Sequence, residues 1–545
     1  MSTAFQTRAA PIFQFNRHRE DIQREVTRRV VHELASFGGL KAPRSYQLVL
    51  NDAAFHEIRR LEKTPGASAD RLAKWNSLAR RLGRMDASAL EGELEDLARF
   101  YVSDVVGNFD PRVYRFASRM LPVGLKMLFN TSDRISGLAS MRDLSERIRV
   151  EGHTEQARAL MERGTLVIVP THSSNLDSIV LGWSLVEAGL PPATYGAGKN
   201  LFSNPLISFF MRNLGAYRVD RRLRHGLYKQ ILKTYSQVLL ERGFHSLFFP
   251  GGTRSRSNEV EQHLKLGLMG TALTAFQARV SRGDARPIYI VPVTINYPLV
   301  LEAETLIEDH LKEKGQARYI IEDDEFSKIS KVTQYAIKVM ALNTNMVIRY
   351  GVPLDVFGNP VAPDGTSRGP DGSVIDPRRY LYRDGHPVID PARDREYTRM
   401  LGTAVGEAFL RETVVLPSHC VAWLLMTRER RASPSLDLFA LLRTTSGDGH
   451  SMSDIYADAE RLKSTLLALE AEGRLTVDAF IKNQPTEAIV DEGVRTFGMY
   501  HTRAVVERQG ELLVVNAPKL LHYYANRLSH WHEALCRGVF EEGVR

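Results

Sequence analysis

Between about residue 146 and residue 355 the chain alternates short apolar runs with stretches of helical periodicity, and this alternation limits the fold more than any other feature. The apolar runs span 166–170, 244–249, 288–295 and 346–350; helical spacing runs through 178–188, 228–240 and 264–279. Strands separated by helices predict an α/β domain whose sheet, covered by helices, is largely buried. Residues 1–145 and 396–545 read as mostly helical, with apolar residues at helical spacing among many charges, as in 19–34 and 89–105. Residues 356–395 are rich in Pro, Gly and Asp, as in Asn359-Pro360-Val361-Ala362-Pro363-Asp364-Gly365, and read as an irregular insertion. Near the end, 436–477 reads as helices and 496–515 as a small hairpin, in a winged-helix shape or in ordinary packing.

At 545 residues the chain is long enough for roughly two to four domains. A 43% hydrophobic, 25% charged composition argues against disorder and collagen-like repeats. Two cysteines, Cys420 and Cys536, exclude a disulfide framework, and without a Cys-x-x-Cys there is no thiolate zinc site. No 18-residue window is both charge-free and apolar, and residues 1–18 hold no long apolar run, so neither a spanning helix nor a secretory signal is expected. The formal charge of +8 suits anionic partners: phosphates, coenzyme A, acidic lipid or nucleic acid. Segment 111–129 interleaves Arg112, Arg115, Arg119 and Lys126 with Tyr114, Phe116, Met120 and Leu121. It reads as a membrane-interface segment or as domain-packing surface, with Pro122 and Gly124 expected to interrupt one continuous helix.

Four blocks carry the chemistry. In Thr171-His172-Ser173-Ser174-Asn175-Leu176-Asp177 a histidine leaves a strand and a carboxylate opens a helix. The two meet only if His172 lies on the turn and Asp177 in the first helical turn; the carboxylate then orients the imidazole as a base. The plain alternative is a turn-capping histidine beside an aspartate that favours a helix N-terminus. The second block, Gly215-Ala216-Tyr217-Arg218-Val219-Asp220-Arg221-Arg222, follows Lys199 and offers arginines to a phosphate, or is a solvated basic face. The third, Phe248-Phe249-Pro250-Gly251-Gly252-Thr253-Arg254-Ser255-Arg256-Ser257, runs a strand into glycines, hydroxyls and arginines. That composition suits phosphate binding, and it is no Walker A loop because Gly-Lys-Ser/Thr is missing. The fourth, 288–295, is a buried strand with Pro292 near its end. No Gly-x-Ser-x-Gly surrounds Ser173 or Ser174, which favours direct attack by a bound hydroxyl over an acyl-enzyme.

Taken in order, the blocks resemble the glycerolipid acyltransferase family, and within it the glycerol-3-phosphate acyltransferase branch. His172 and Asp177 match its His-x-x-x-x-Asp motif, and Gly215 and Arg221 its second motif. Gly252, Thr253, Arg254, Ser255 and Arg256 match its third, and Val291-Pro292-Val293 its fourth. The tract Tyr523-Tyr524-Ala525-Asn526-Arg527-Leu528-Ser529-His530 is similar to one late in large bacterial members. The third motif departs at one position: Gly251, or Pro250 in the other register, stands where the family has glutamate, in its acceptor-site loop.

The resemblance implies an acyltransferase domain over 146–355, with a mixed, largely buried sheet flanked by helices. It implies transfer of a fatty acyl group from acyl-CoA or acyl-carrier protein to the sn-1 hydroxyl of glycerol-3-phosphate. His172 and Asp177 would be catalytic; Lys199, Gly215, Arg221, Gly252, Thr253, Arg254, Ser255 and Arg256 would bind substrate. No metal, prosthetic group or nucleic acid is required, and the expected place is the cytoplasmic face of a membrane, held peripherally. The rival readings are acylation of lysophosphatidate or dihydroxyacetone phosphate, and a catalytically weak lipid- or CoA-binding protein at a membrane surface.

Overall fold

A computed structural model describes residues 10–129, 148–202, 205–284, 286–300, 302–314, 346–443, 449–498, 501 and 503–540. Its centre is a seven-stranded sheet in the order β1-β7-β6-β2-β5-β3-β4. The strands are β1 (Ile148–Gly152), β2 (Thr165–Pro170), β3 (Thr194–Gly198), β4 (Ala216–Val219), β5 (Ser246–Leu247), β6 (Ile288–Asn296) and β7 (Met346–Tyr350). β6, β2, β5, β3 and β4 run parallel. β7 is antiparallel to β6 and carries β1 parallel to itself, so the sheet is mixed. β2 and β6 are buried along their whole length, as a sheet covered on both faces requires.

Three strands, β1, β3 and β4, escape a reading based on apolar runs. β3 is Thr-Tyr-Gly-Ala-Gly and β4, at the sheet edge, is four residues long and includes Arg218. The run at 244–249 pairs over only two residues, Ser246 and Leu247. Pro292 lies mid-strand rather than near its end, and the β7 ladder begins one residue on, at Val293.

Helices α1 (Phe15–Leu34), α2 (Arg44–Glu62), α3 (Ala69–Arg81) and α4 (Ala87–Val105) form the N-terminal region. Their core, including Ile22, Val26 and Leu94, is continuous with Ile231, Tyr235 and Val238 of a helix of the sheet domain, Gly226–Glu241. α5 (Pro111–Phe129) is one helix through Pro122 and Gly124, against expectation. A proline removes a single backbone bond and bends a helix more readily than it ends one when neighbours support both halves. The sheet and the C-terminal helices share one core, from Ile148 to Val539. Residues 450–515 hold two long helices, Met452–Ala471 and Thr486–Phe497, and the hairpin Val506–Gln509 with Leu512–Val515.

Candidate active site

Parallel strands end on one edge of a sheet, and loops beyond their carboxyl ends collect there. β2 delivers His172, β3 Lys199, β4 Arg221, β5 the 250–256 loop, and β6 Tyr297 and Glu302. At about 4.8 Å per strand, the β5 loop lies one strand from His172, Lys199 two and Arg221 three.

His172 Nδ1 lies 2.8 Å from Asp177 Oδ2. Asp177, the first residue of α6 (Asp177–Glu187), is fully buried. Its Oδ2 also accepts the backbone N–H of Ser173 at 2.7 Å and of Ser174 at 3.0 Å, and its Oδ1 accepts the Tyr297 hydroxyl at 2.6 Å. A carboxylate that accepts from every side is an acceptor toward the imidazole too. This places the proton on Nδ1 and leaves the lone pair on Nε2, the tautomer a base needs. Phe249 stacks on the imidazole at 4.1 Å between centroids and 25° between planes.

The third block is wired to the first. Ser255 N–H donates to His172 O at 2.7 Å, and Gly252 N–H closes a turn on Phe249 O at 3.0 Å with φ at +75°. Two backbone donors expected for an anion, Gly252 N–H and Ser255 N–H, are therefore used inside the loop. Arg254 Nη1 lies 3.3 Å from Glu302 Oε1. Glu302, buried, also accepts Ser174 Oγ and Asn175 N–H, each at 3.0 Å. Burial raises its pKa, against the opposing pull of Arg254. Arg256 pairs with Glu313 at 2.9 Å, Thr253 is exposed, and Ser255 Oγ donates to Glu259 O at 3.2 Å.

The second block forms a separate charged cluster. Lys199 Nζ lies 3.0 Å from Asp104 and 3.7 Å from Asp220, and Arg218 pairs with Asp104 at 2.9 Å. Arg221 is exposed. Gly215 has a backbone explanation: φ is +90°, its N–H donates to Asn108 O, and its carbonyl accepts from Tyr195.

Several residues at the site carry no motif of their own. Glu261 is half-buried, yet its Oε2 is enclosed without a hydrogen-bond partner. Burial pushes its pKa up to about 8; the His172 N–H, Arg527 and Lys265 pull it down, and the neighbouring Asp177 adds to the rise. Arg527, buried, donates to Asn296 Oδ1 at 2.8 Å, and Asn526 donates to Ser257 O at 3.0 Å. The 523–530 tract thus packs against the segments that follow β5 and end β6. The available signal for Tyr297 and Glu302 was their place just past a parallel strand, and for Arg527 its place in the 523–530 tract; Glu261 had none.

Residues 147–296 match the family model described as Acyltransferase. Relatives named glycerol-3-phosphate acyltransferase include one from Pseudomonas paraeruginosa (strain DSM 24068 / PA7), 31% identical over 214 residues, 39% of this chain and 23% of that protein. Another, from Pseudomonas putida (strain W619), is 28% identical over 294 residues, 53% of this chain and 32% of that protein. The matched part thus spans between about a quarter and a third of these relatives' length. The solved 1-acyl-sn-glycerophosphate (LPA) acyltransferase from Thermotoga maritima is 15% identical, over 54% of this chain and 86% of that one, with a TM-score of 0.25, too slight a likeness to support an argument.

Proposed function

We propose that this chain, a member of the glycerolipid acyltransferase family through residues 147–296, transfers a fatty acyl group from a thioester to the sn-1 hydroxyl of glycerol-3-phosphate. The observation that carries the reading is the His172–Asp177 pair, tied through backbone and side chains to the arginine-bearing 250–256 loop.

His172 Nε2 takes the proton of the acceptor hydroxyl while Asp177 stabilises the imidazolium. The alkoxide oxygen attacks the thioester carbonyl, and the tetrahedral intermediate collapses with loss of thiolate. The imidazolium returns the proton to sulfur, so no net proton is gained or lost. Bound geometry replaces a second-order encounter, and the arginines supply it by holding the phosphate. Arg254 is the best placed, one strand from His172 and sharing Glu302 with Ser174 and Asn175; Arg256, Arg221 and Lys199 extend the basic edge. Thr253 and Ser255 add hydroxyl donors. The donor is acyl-CoA or acyl-carrier protein.

We place the protein peripherally on a membrane through α5. Phe116 is 55% exposed and Met120 45%, and Phe209 of the neighbouring helix Pro205–Asn213 is 50% exposed. Arg112, Arg115 and Arg119 lie among them, a pairing suited to anionic headgroups. Among the described residues no helix is long and apolar enough to cross a membrane.

An acceptor panel tests the substrate. Thiol release from palmitoyl-CoA, and from palmitoyl-carrier protein in parallel, is followed with glycerol-3-phosphate, lysophosphatidate, dihydroxyacetone phosphate or no acceptor. Dependence on glycerol-3-phosphate supports the reading; dependence on another acceptor keeps the chemistry and moves the substrate. Binding without turnover would leave a lipid- or CoA-binding protein.

A further inference from the structure

Two adjacent glycines in the 250–256 loop are glycine for different reasons. Gly252 has φ at +75°, which favours glycine by backbone alone. Gly251 is not among the residues with positive φ, so its backbone admits any side chain. What occupies the space of one is another residue: a Cβ at Gly251 would lie 2.6 Å from Cδ, Oε1 and Oε2 of Glu261, whose side-chain end would have to move. The carboxyl group of Glu261 fills the space that a side chain at 251 would occupy.

We infer that Glu261 is a positioning residue of this site, whose carboxyl group enters the loop from later in the chain and braces the 249–252 turn beside His172. The His172 N–H lies close enough to the Glu261 carboxyl to act on it electrostatically. The segment that carries it is pinned to the same turn, with Lys265 N–H donating to Pro250 O at 2.7 Å. The Lys265 side chain runs along Gly252, where an added Cβ would lie 2.6 Å from Cδ and 2.7 Å from Nζ. Arg527 supplies a buried positive charge nearby. In the resembling family a glutamate stands at the position of Gly251; here a carboxyl group lies against that position from Glu261.

The inference rests on the acyl-transfer reading only for its activity readout. The experiment is a double-mutant cycle on the full chain: wild type, Glu261→Ala, Gly251→Glu and the double variant Gly251→Glu/Glu261→Ala, with Glu261→Gln as the conservative control. Thermal unfolding confirms that each is folded. Thiol release should fall about tenfold or more in Glu261→Ala and in Gly251→Glu, the latter because two carboxyl groups compete for one space. The double variant should recover to within about threefold of wild type, and Glu261→Gln should keep most of the activity, because its amide fills the same space beside Gly251. The His172 backbone amide resonance, read by NMR on selectively 15N-histidine-labelled protein, should move in Glu261→Ala and return in the double variant. Wild-type activity and an unmoved amide in Glu261→Ala would overturn the inference, as would a double variant no better than the weaker single one. If wild type itself releases no thiol with any acceptor, the acyl-transfer reading fails. The amide shift then decides alone: return in the double variant supports the positioning role, and an unmoved resonance overturns it.

Discussion

At the residue scale the account turns on a carboxylate surrounded by donors. Asp177 accepts from the His172 imidazole, two backbone N–H groups and the Tyr297 hydroxyl. In Asp177→Asn the amide NH2 cannot accept these bonds, and the imidazole is driven to the tautomer with its proton on Nε2, where no base remains. The expected loss in kcat is about 10²–10⁴-fold, with KM for the acyl donor little changed, measured by steady-state thiol release. Glu261 gives a second prediction, with the sign set by linkage. Its folded pKa of about 8 stands above the ordinary glutamate value, so the folded state holds more protons than the unfolded one between those values. The stability it contributes is full at acid pH and is lost as pH rises through about 8, where the new charge faces Asp177 with only Arg527, Lys265 and the His172 N–H to offset it. Tm of the wild type should therefore fall more between pH 6 and 9 than Tm of Glu261→Gln (a pH range chosen to bracket about 8); parallel curves would contradict this. His172 and Asp177 were legible in the sequence because both partners lie on one short segment. Tyr297, Glu302 and Glu261 were not, because each acquires its role only when another element brings it to the β2 edge.

At the element scale the parallel strands do the assembling. The apolar runs of β2, β6 and β7 were legible because buried strands must be apolar, and so were the helices that flank them. β3 and β4 were hidden by glycine, small residues and edge exposure, so the second block read as a basic stretch rather than as a strand with its loop. The turn at Gly252 is the most sensitive joint between blocks. Gly252→Ala forces a left-handed φ on an L-residue and drives a Cβ into Lys265. It should cost about 1–3 kcal/mol in stability and lower turnover as well, read by chemical denaturation and by thiol release.

At the scale of the whole molecule, the C-terminal region is part of the site's support. Tyr524 accepts Val300 N–H, Asn526 donates to Ser257 O, and Arg527 donates to Asn296, so the late tract buttresses the loops after β5 and β6. Its sequence similarity was legible, its contacts were not, since they span more than 200 residues. The N-terminal region holds α5, whose arginines and exposed apolar side chains form the face we assign to the membrane. Sedimentation with vesicles containing anionic phospholipid should capture the protein and weaken with added salt. Phe116→Glu should reduce capture severalfold without lowering Tm, as this side chain is mostly exposed. Equal capture of both proteins would remove α5 from that role.

The most direct test of the central claim is thiol release from palmitoyl-CoA that depends on glycerol-3-phosphate, compared between wild type and a folded His172→Ala variant. The account predicts acceptor-dependent release in the wild type and its loss in the variant, with thermal unfolding unchanged within a few degrees. Acceptor-dependent release at the wild-type rate in His172→Ala would contradict it, because the proposed base would then have no part in the reaction.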